Sequence, residues 1–388
     1  MYTEKDLSVV VPSYNNLEYF KLLYESVRVA SKDVEIIMIS DGSTDGTAEY
    51  MQDLVLVDEN SKLHVAEERT GHTILYDYGF EMSDRDIVGI LHADMVVHKD
   101  FFKNILKRLD DRHTIVCGTC VEPPLHPAGL EKYIFDAGMY PSDFDMGKFN
   151  SFCEEVMIDA TQKSIFAPWF VNREAYFALT GGHDERFAPY GYEDCDIFTR
   201  MQLAGFNFAQ SRDSLVYHFT QRGHKWTKGV GVENDDYRFQ MNHTRREYIR
   251  KFGTMPQFDE LHYPRPAKLY TMSLVLPHDN VSILRELEPF FSYIHCNLEN
   301  PDTVRYIEAE DEVSAYDISH KFKGLDDDPT TDIIVTFDSD SLHRGEWEVL
   351  CQLPLILEHQ LDSVGEYTLY TINVKVKDLQ YAVATAME

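Results

Sequence analysis

The sequence predicts an α/β protein: a mostly parallel sheet with helices on both faces. Three observations lead there. Short apolar runs alternate with segments whose apolar residues fall at helical spacing. The runs are continuous instead of alternating apolar with polar, as in strands buried on both faces. Several also stop abruptly at Asp, Gly, Ser or Thr, as strands do where they emerge at the carboxyl edge of an open sheet.

Taken in order, "LSVVV" (7–11) is the first buried strand, and "LEYFKLLYESVRVA" puts Phe20, Leu23, Tyr24 and Val27 on one helical face. "VEIIMIS" (34–40) is the second strand, followed by "STDGTAEYMQDL", a helix with capping residues at its start. "KLHVAEE" predicts a short strand, "TILYDYGFEM" a short helix and "DIVGIL" another buried strand. Asp100 then caps a helix carrying Phe102, Ile105, Leu106 and Leu109 on one face. Residues 120–165 show no clear period, and an informative block follows from Phe166 to Phe219. The prolines of "YPRPAKL" (263–269) mark a boundary. Beyond them, "YTMSLVLP", "VSILRELEPFFSYI", "DIIVTFDSDS", "WEVLCQLPLILEHQL" and "YTLYTINVKV" predict a small acidic α/β domain. "SLVLPHDN" echoes "SVVVPSYNN", and "DIIVTFDSD" echoes "DIVGILHAD", although strand-then-aspartate is common in such folds.

The composition bounds the function. At 388 residues the chain has room for more than one core, and its net charge of −30 argues against a general nucleic-acid binder. No run approaches the roughly 18 to 20 apolar residues of a membrane span. The start "MYTEKDLSVVVP" shows neither a basic segment nor an apolar signal core, so the expected location is cytoplasmic. Cys117 and Cys120 form a C-x-x-C without a second pair, which reads as plain reduced thiols. "NHT" and "NVS" fit the glycosylation pattern but would go unmodified in the cytosol.

"VGILHADMVV" poses the chemical question, because a histidine and an aspartate stand where a buried strand should end. An ionised carboxylate in a core costs several kcal/mol unless it is paired or metal-bound. Either the strand emerges at a working surface or this is an ordinary turn.

Four stretches in a fixed order, "VVVPSYNN", "ISDGSTDGT", "LHADM" and "GGHDERFAPYGYEDCDIFTRMQLAGF", together resemble the family 2 glycosyltransferases of GT-A fold. That family runs V-P-x-Y-N, D-x-S-x-D-x-T and D-x-D, then G-G-x-D-E-x-F and E-D-x-D-x-x-x-R-x-x-x-G. The resemblance covers residues 7 to about 220. It implies a Rossmann-like nucleotide-diphospho-sugar transferase domain at 1–220. A lid and helical extension at 221–264 and the small α/β domain at 265–388, of open role, complete the expected organisation.

What the resemblance implies for residues is specific. Pro12, Tyr14 and Asp41 would line the nucleoside pocket, and Arg69 would lie near the donor. Asp94, the last carboxylate of the D-x-D, would bind a divalent cation, Mn²⁺ or Mg²⁺. His92 replaces the first carboxylate, so it is either a ligand or a contact to the ribose or a phosphate oxygen. An imidazole in the set tilts the choice towards Mn²⁺. His218 is the preferred further ligand, with His224 in reserve. Arg222, Lys225, Trp226 and Lys228 would close over the diphosphate as a lid. Asp194 would be the general base, with Glu193 positioning the acceptor or a loop. Gly182, Trp169 and Tyr192, with Tyr190, would meet the acceptor. Asp196 and Arg200, four apart, should pair structurally.

The expected reaction is transfer from a nucleotide sugar, a UDP-sugar first, to a hydroxyl of a glycan, protein or small molecule, with inversion. A retaining enzyme like the polypeptide N-acetylgalactosaminyltransferases and a non-catalytic sugar-nucleotide or glycan-binding module are the alternatives. A nucleotidyltransferase would need a Gly-rich basic loop after the first strand, which "VPSYNN" is not. Asp338 and Asp340 form a second D-x-D with no E-D block after it, arguing against a second active site. The C-terminal domain is one route to a homo-oligomer or an acceptor site.

Overall fold

The computed structural model describes residues 2–220, 225–226, 232, 234–278, 280–337, 342–361, 363–384 and 386. Arg222, His224, Lys228, Asp338 and Asp340 lie outside the described residues. The chain divides into two compact units, Met1–Met241 with Phe258–Arg265, and Asn242–Gln257 with Pro266–Ala386.

The first unit opens with β1 (Leu7–Ser13), α1 (Leu17–Ala30), β2 (Glu35–Asp41), α2 (Thr47–Val55) and β3 (Ser61–Ala66). It continues through α3 (His72–Met82), β4 (Ile87–Ile90), β5 (Met95–Val97), α4 (Phe101–Leu106) and β6 (Thr114–Glu122). Then come β7 (Lys132–Ile134), α5 (Met146–Val156), β8 (Thr161–Gln162), β9 (Trp169–Asn172), α6 (Arg173–Thr180), α7 (Glu193–Leu203) and β10 (Asn207–His218). α8 (Asp235–Phe252) gives its first turns to this unit and the rest to the second.

The main sheet runs β3-β2-β1-β4-β9-β6-β10-β5. β1, β2, β3 and β4 are parallel, as are β6 and β10. β9 is inserted antiparallel between β4 and β6, and β5 is antiparallel to β10. The continuous apolar runs are the central strands: β2 and β4 are buried along their whole length, and β1 everywhere but Pro12. β3, at the sheet edge, is only half-buried, which is why "KLHVAEE" carries so many polar residues. α1 buries Phe20, Leu23 and Val27 against the sheet, while Tyr24 is partly buried and donates its hydroxyl to Asp58 at 2.8 Å. Asp100 stands at the N-cap of α4 but makes no side-chain cap bond, and the helix ends before Leu109.

The second unit contains β11 (Leu269–Tyr270), β12 (Met272–Val275), α9 (Val281–Leu287), β13 (Tyr293–Cys296), α10 (Pro301–Val313) and β14 (Phe322–Gly324). It ends with β15 (Ile333–Thr336), α11 (Arg344–His359), β16 (Gly365–Leu369), β17 (Ile372–Val376) and β18 (Tyr381–Ala382). Its sheet runs β14-β13-β12-β15-β17-β16 over its own core of Leu274, Leu284, Ile294, Val335, Leu350 and Leu353. The order β14-β13-β12-β15 repeats β3-β2-β1-β4 of the first unit, all parallel in both.

Candidate active site

The site forms where β1, β2 and β4 deliver their carboxyl ends. β1 is the switch point: its neighbours are reached in opposite directions, and a crevice opens beyond its end. After β4 the Leu91 N–H still donates to the Val10 carbonyl at 3.1 Å. The chain then turns through His92, Ala93 and Asp94, closed by Met95 N–H to the His92 carbonyl at 3.1 Å.

The late histidine arrives through strand register. β5 pairs with the end of β10 so that His218 stands opposite Met95, and the Phe219 N–H donates to the Asp94 carbonyl at 3.0 Å. His218 Nε2 lies 3.5 Å from Asp94 Oδ1 and 3.3 Å from His92 Nδ1. On the other side of the ring, His218 Nδ1 is 3.2 Å from Oε1 of Glu122, the last residue of β6. Lys132 pairs with Glu122 at 2.7 Å. Burial opposes a charge on His218, yet Asp94, Cys120 and Glu122 together outweigh it and hold the imidazole well above its ordinary value. Glu122, despite burial, is held down to about 2 by His218 and Lys132.

Ligand atoms of His92, Asp94 and His218 lie within 4.8 Å of one another. One carboxylate oxygen and two imidazole nitrogens are a fitting donor set for a divalent first-row cation. Cys120 and Glu122 also converge on His218. Burial raises the Cys120 thiol, and its Sγ donates to the Ala167 carbonyl at 3.2 Å, so it is a core thiol here. Burial likewise pushes Cys117 up to about 12, and the cysteines are free.

Pro12 and Tyr14 at the end of β1, and Asp41 at the end of β2, line the same cleft. Asp41 accepts the N–H groups of Thr70 at 2.5 Å and Gly71 at 3.0 Å, which anchors the loop bearing Arg69. The Arg69 guanidinium lies 4.1 Å from the centroid of the Tyr14 ring and 5.4 Å from that of Tyr190. Gly71 has φ +96°, and a Cβ there would come within 2.3 Å of Pro189, so glycine lets this loop close on the turn before α7.

α7 starts with Glu193, Asp194 and Asp196 in its first turn. Glu193 Oε1 is 2.8 Å from His72 Nε2, and Oε2 accepts the Gly191 N–H. Asp194 lines the cleft, and its carboxyl is pushed up to about 7 by removal from water and by neighbouring Glu193. Asp196 and Arg200 pair at 2.6 Å, and Arg200 also donates to the Thr180 and Gly182 carbonyls.

One cleft of about 390 Å³ gathers Pro12, Tyr14, Asp41, Arg69, His92, Asp94, Glu193, Asp194 and His218. Other residues singled out from sequence stand elsewhere. Trp169 is a correction: it is fully buried among Phe80, Tyr176 and Phe198, because β9 threads the middle of the sheet, and it has no face for a sugar. Gly182 is a correction too. With φ +97°, it packs where a Cβ would meet Asp77 at 2.2 Å, its carbonyl held by Arg200, outside the cleft. Tyr192 borders a second cavity of about 290 Å³. Trp226 stacks on His126, a cleft residue, at 5.7 Å, and Lys225 Nζ lies 5.5 Å from the Trp226 ring. Both stand one ring back from the cleft.

His72, Tyr76, Glu122, His126 and Lys132 also line the cleft and escaped sequence reasoning. Glu122 carried a usable signal: like Asp41 and Asp94, it is an acid at the end of an apolar run. His72 had none beyond its place after "RTG". Among the described residues, no helix is long and apolar enough to cross a membrane.

A mostly parallel sheet that collects these groups at its switch point is the GT-A arrangement. Residues 8–165 match the family described as glycosyl transferase family 2. The putative teichuronic acid biosynthesis glycosyltransferase TuaG of Bacillus subtilis is 26% identical over 192 residues, 49% of this chain and 76% of that one. The putative glycosyltransferase EpsH of the same species is 24% identical over 118 residues, 30% of this chain and 34% of that one. Glycosyltransferase GlyA of Streptococcus pneumoniae is 24% identical over 110 residues, 28% of this chain and 16% of that one. The chain thus covers well under two thirds of EpsH and GlyA.

Among solved structures, GalNAc-T7 with UDP, GalNAc and Mn²⁺ has a TM-score of 0.44 at 15% identity, covering 64% of this chain and 50% of that one. The mannosyltransferase PcManGT of Pyrobaculum calidifontis, in complex with GDP-Man and Mn²⁺, has a TM-score of 0.44 at 14% identity, covering 81% and 77%.

Proposed function

We propose that the protein transfers a sugar from a nucleotide-sugar donor, a UDP-sugar first, to an acceptor hydroxyl with inversion at the anomeric carbon. The observation that carries the reading is the meeting, in one cleft, of the β1 and β2 strand ends, the His92–Asp94–His218 cluster and Asp194. Pro12, Tyr14 and Asp41 hold the nucleoside, and Arg69 meets the donor from the loop that Asp41 anchors. His92, Asp94 and His218 would hold a divalent cation, Mn²⁺ being the better match to two imidazoles, which offsets the diphosphate charge and eases its departure. Asp194 accepts the proton of the acceptor hydroxyl as that oxygen bonds to the anomeric carbon and the nucleoside diphosphate leaves from the opposite face. Glu193, already engaged by His72 and the Gly191 N–H, positions the turn and leaves the base role to its neighbour.

The test is nucleoside diphosphate release from UDP-, GDP- and dTDP-sugars with Mn²⁺, Mg²⁺ or EDTA. Asp94→Asn and Asp194→Asn are run alongside. Cation-dependent release from one donor, lost in Asp94→Asn, supports the reading. No release and no cation-dependent nucleotide binding across the panel overturns it. Product anomeric configuration by NMR decides inversion against retention.

A further inference from the structure

We propose that the second cavity is the acceptor subsite, an aromatic-walled pocket that seats one sugar ring of a saccharide acceptor with a hydroxyl presented to Asp194. This deepens the transferase reading and rests on it for the role of Asp194.

The cavity measures about 290 Å³ and is bounded by Tyr190, Tyr192, Phe198, Tyr237, Phe258 and His262, with Met241 between. It shares His72, Phe166, Glu193 and Asp194 with the cleft, so Asp194 stands on the border of both. A base that takes the acceptor's proton as its oxygen bonds to the donor's anomeric carbon must stand where the two substrates meet, and the cavity is the second compartment it borders.

The wall chemistry selects the occupant. A pyranose has apolar C–H faces and a polar rim, and it is matched by flat rings with polar atoms at their edges. The rings here lie in near-parallel pairs: Phe258 on His262 at 4.2 Å and 3°, and Tyr190 on Tyr237 at 6.3 Å and 15°. Tyr190, Tyr192, Tyr237 and His262 among the lining residues each join an aromatic ring to a polar group. Glu193 and Asp194 are the charged groups among the described lining residues, and Arg69 and Lys225 lie behind the walls, each 5.4 Å from the centroid of the Tyr190 or the Tyr237 ring. The volume is near the lower end of ligand pockets, which run from about 300 to 1,000 Å³, and suits a single ring.

The origin of the walls matters as well. Tyr237, Met241, Phe258 and His262 follow the segment that matches the family, residues 8–165. Acceptor choice would then be written in a part of the chain that the shared motifs do not reach.

The probe is a panel of methyl glycosides of glucose, galactose, mannose and N-acetylglucosamine, in both anomers, titrated against the full chain by saturation-transfer NMR. At least one should bind. Tyr237→Ala should weaken it about tenfold, the loss of one stacked ring, whereas Tyr237→Phe should stay within about twofold. Met241→Trp, which fills the cavity, should abolish binding, and thermal melting checks that each variant is folded. Failure of every glycoside to bind, or binding untouched by Tyr237→Ala and Met241→Trp, overturns the assignment. The titrations need no donor, cation or turnover. Donor release without saccharide binding therefore sinks the cavity and keeps the transferase. Saccharide binding lost in Met241→Trp, with no donor release, keeps the cavity and sinks the transferase.

Discussion

Asp194 and Glu193 are adjacent acids in nearly one environment, yet the fold separates them. Glu193 is held by His72 and a backbone N–H, while burial and that neighbouring charge lift Asp194 to about 7. The proposed base works only when ionised, so kcat/KM should climb with pH through an apparent value near 7 and level off above it. Asp194→Asn should cost about 10²- to 10⁴-fold in kcat and remove that limb of the profile. The same upward shift costs the fold stability progressively as the pH rises from the ordinary aspartate value towards 7, and the cost is complete above it. Asp194→Asn should therefore melt higher than the wild type at pH 8, a gain that shrinks as the pH falls and vanishes below the ordinary aspartate range. Glu122 acts at one remove. It faces His218 Nδ1 and so leaves Nε2 turned to Asp94 and His92. Partners of that kind typically alter metal affinity about 10- to 100-fold. Glu122→Gln should weaken Mn²⁺ binding, read by paramagnetic resonance of the free ion, within that range, while Glu122→Asp restores part of it.

At the scale of elements, the sequence was most legible where burial is two-sided. β1, β2 and β4 are continuous apolar runs whose ends carry the motifs, so strand and site residue are read together. His218 could be guessed from its place after an apolar run, but its meeting with Asp94 depends on the β5–β10 register, which no local pattern encodes. Trp169 misled because an aromatic beside motif residues looks like a binding surface, while β9 inserts into the middle of the sheet. α8 lies inside 221–264, which the resemblance left as a lid and helical extension with no roles given to the residues of its second half. Its second half carries Arg246, Glu247 and Arg250, buried with Glu288, Glu310 and Lys321 of the second unit. Desolvation would raise Glu288, but Lys321, Arg250 and Arg246 outweigh it and hold it down to about 2. Removing one partner from such a network leaves buried charge uncompensated, at a cost of about 3–5 kcal/mol. Glu288→Gln should lose that much in urea unfolding at pH 7. As the pH falls from the ordinary glutamate range towards 2, the wild type loses the same contribution and the difference closes.

Over the whole molecule, two features lie outside the four motif stretches: a repeated strand order and a charge imbalance. β14-β13-β12-β15 repeats β3-β2-β1-β4, and the echoing segments "SLVLP" and "DIIVT" fall on the corresponding strands β12 and β15. No E-D block follows β15, the second of the echoing strands, in the sequence, which is why strand pattern and chemistry must be read separately. The charge imbalance has a direct consequence for donor binding. The chain carries −30, and the cleft itself holds Asp41, Asp94, Glu122, Glu193 and Asp194 against Arg69 and Lys132. The proposed nucleoside diphosphate would therefore approach a protein of its own sign and enter a cleft richer in acid than in base. Two effects follow, and they separate by range. Near contact, a cation held by the proposed cluster would offset the repulsion, so UDP affinity measured by calorimetry with Mn²⁺ should fall by at least about tenfold, some 1.4 kcal/mol, in EDTA. At longer range, salt screens like charges over a Debye length of about 10 Å at 0.1 M, so the UDP association rate should rise between low and moderate ionic strength. A rate that fell with salt would mean that a basic surface steers the donor, and the cleft would then have to admit nucleotide by a route on which Arg69 and Lys132, not the cluster, set the field.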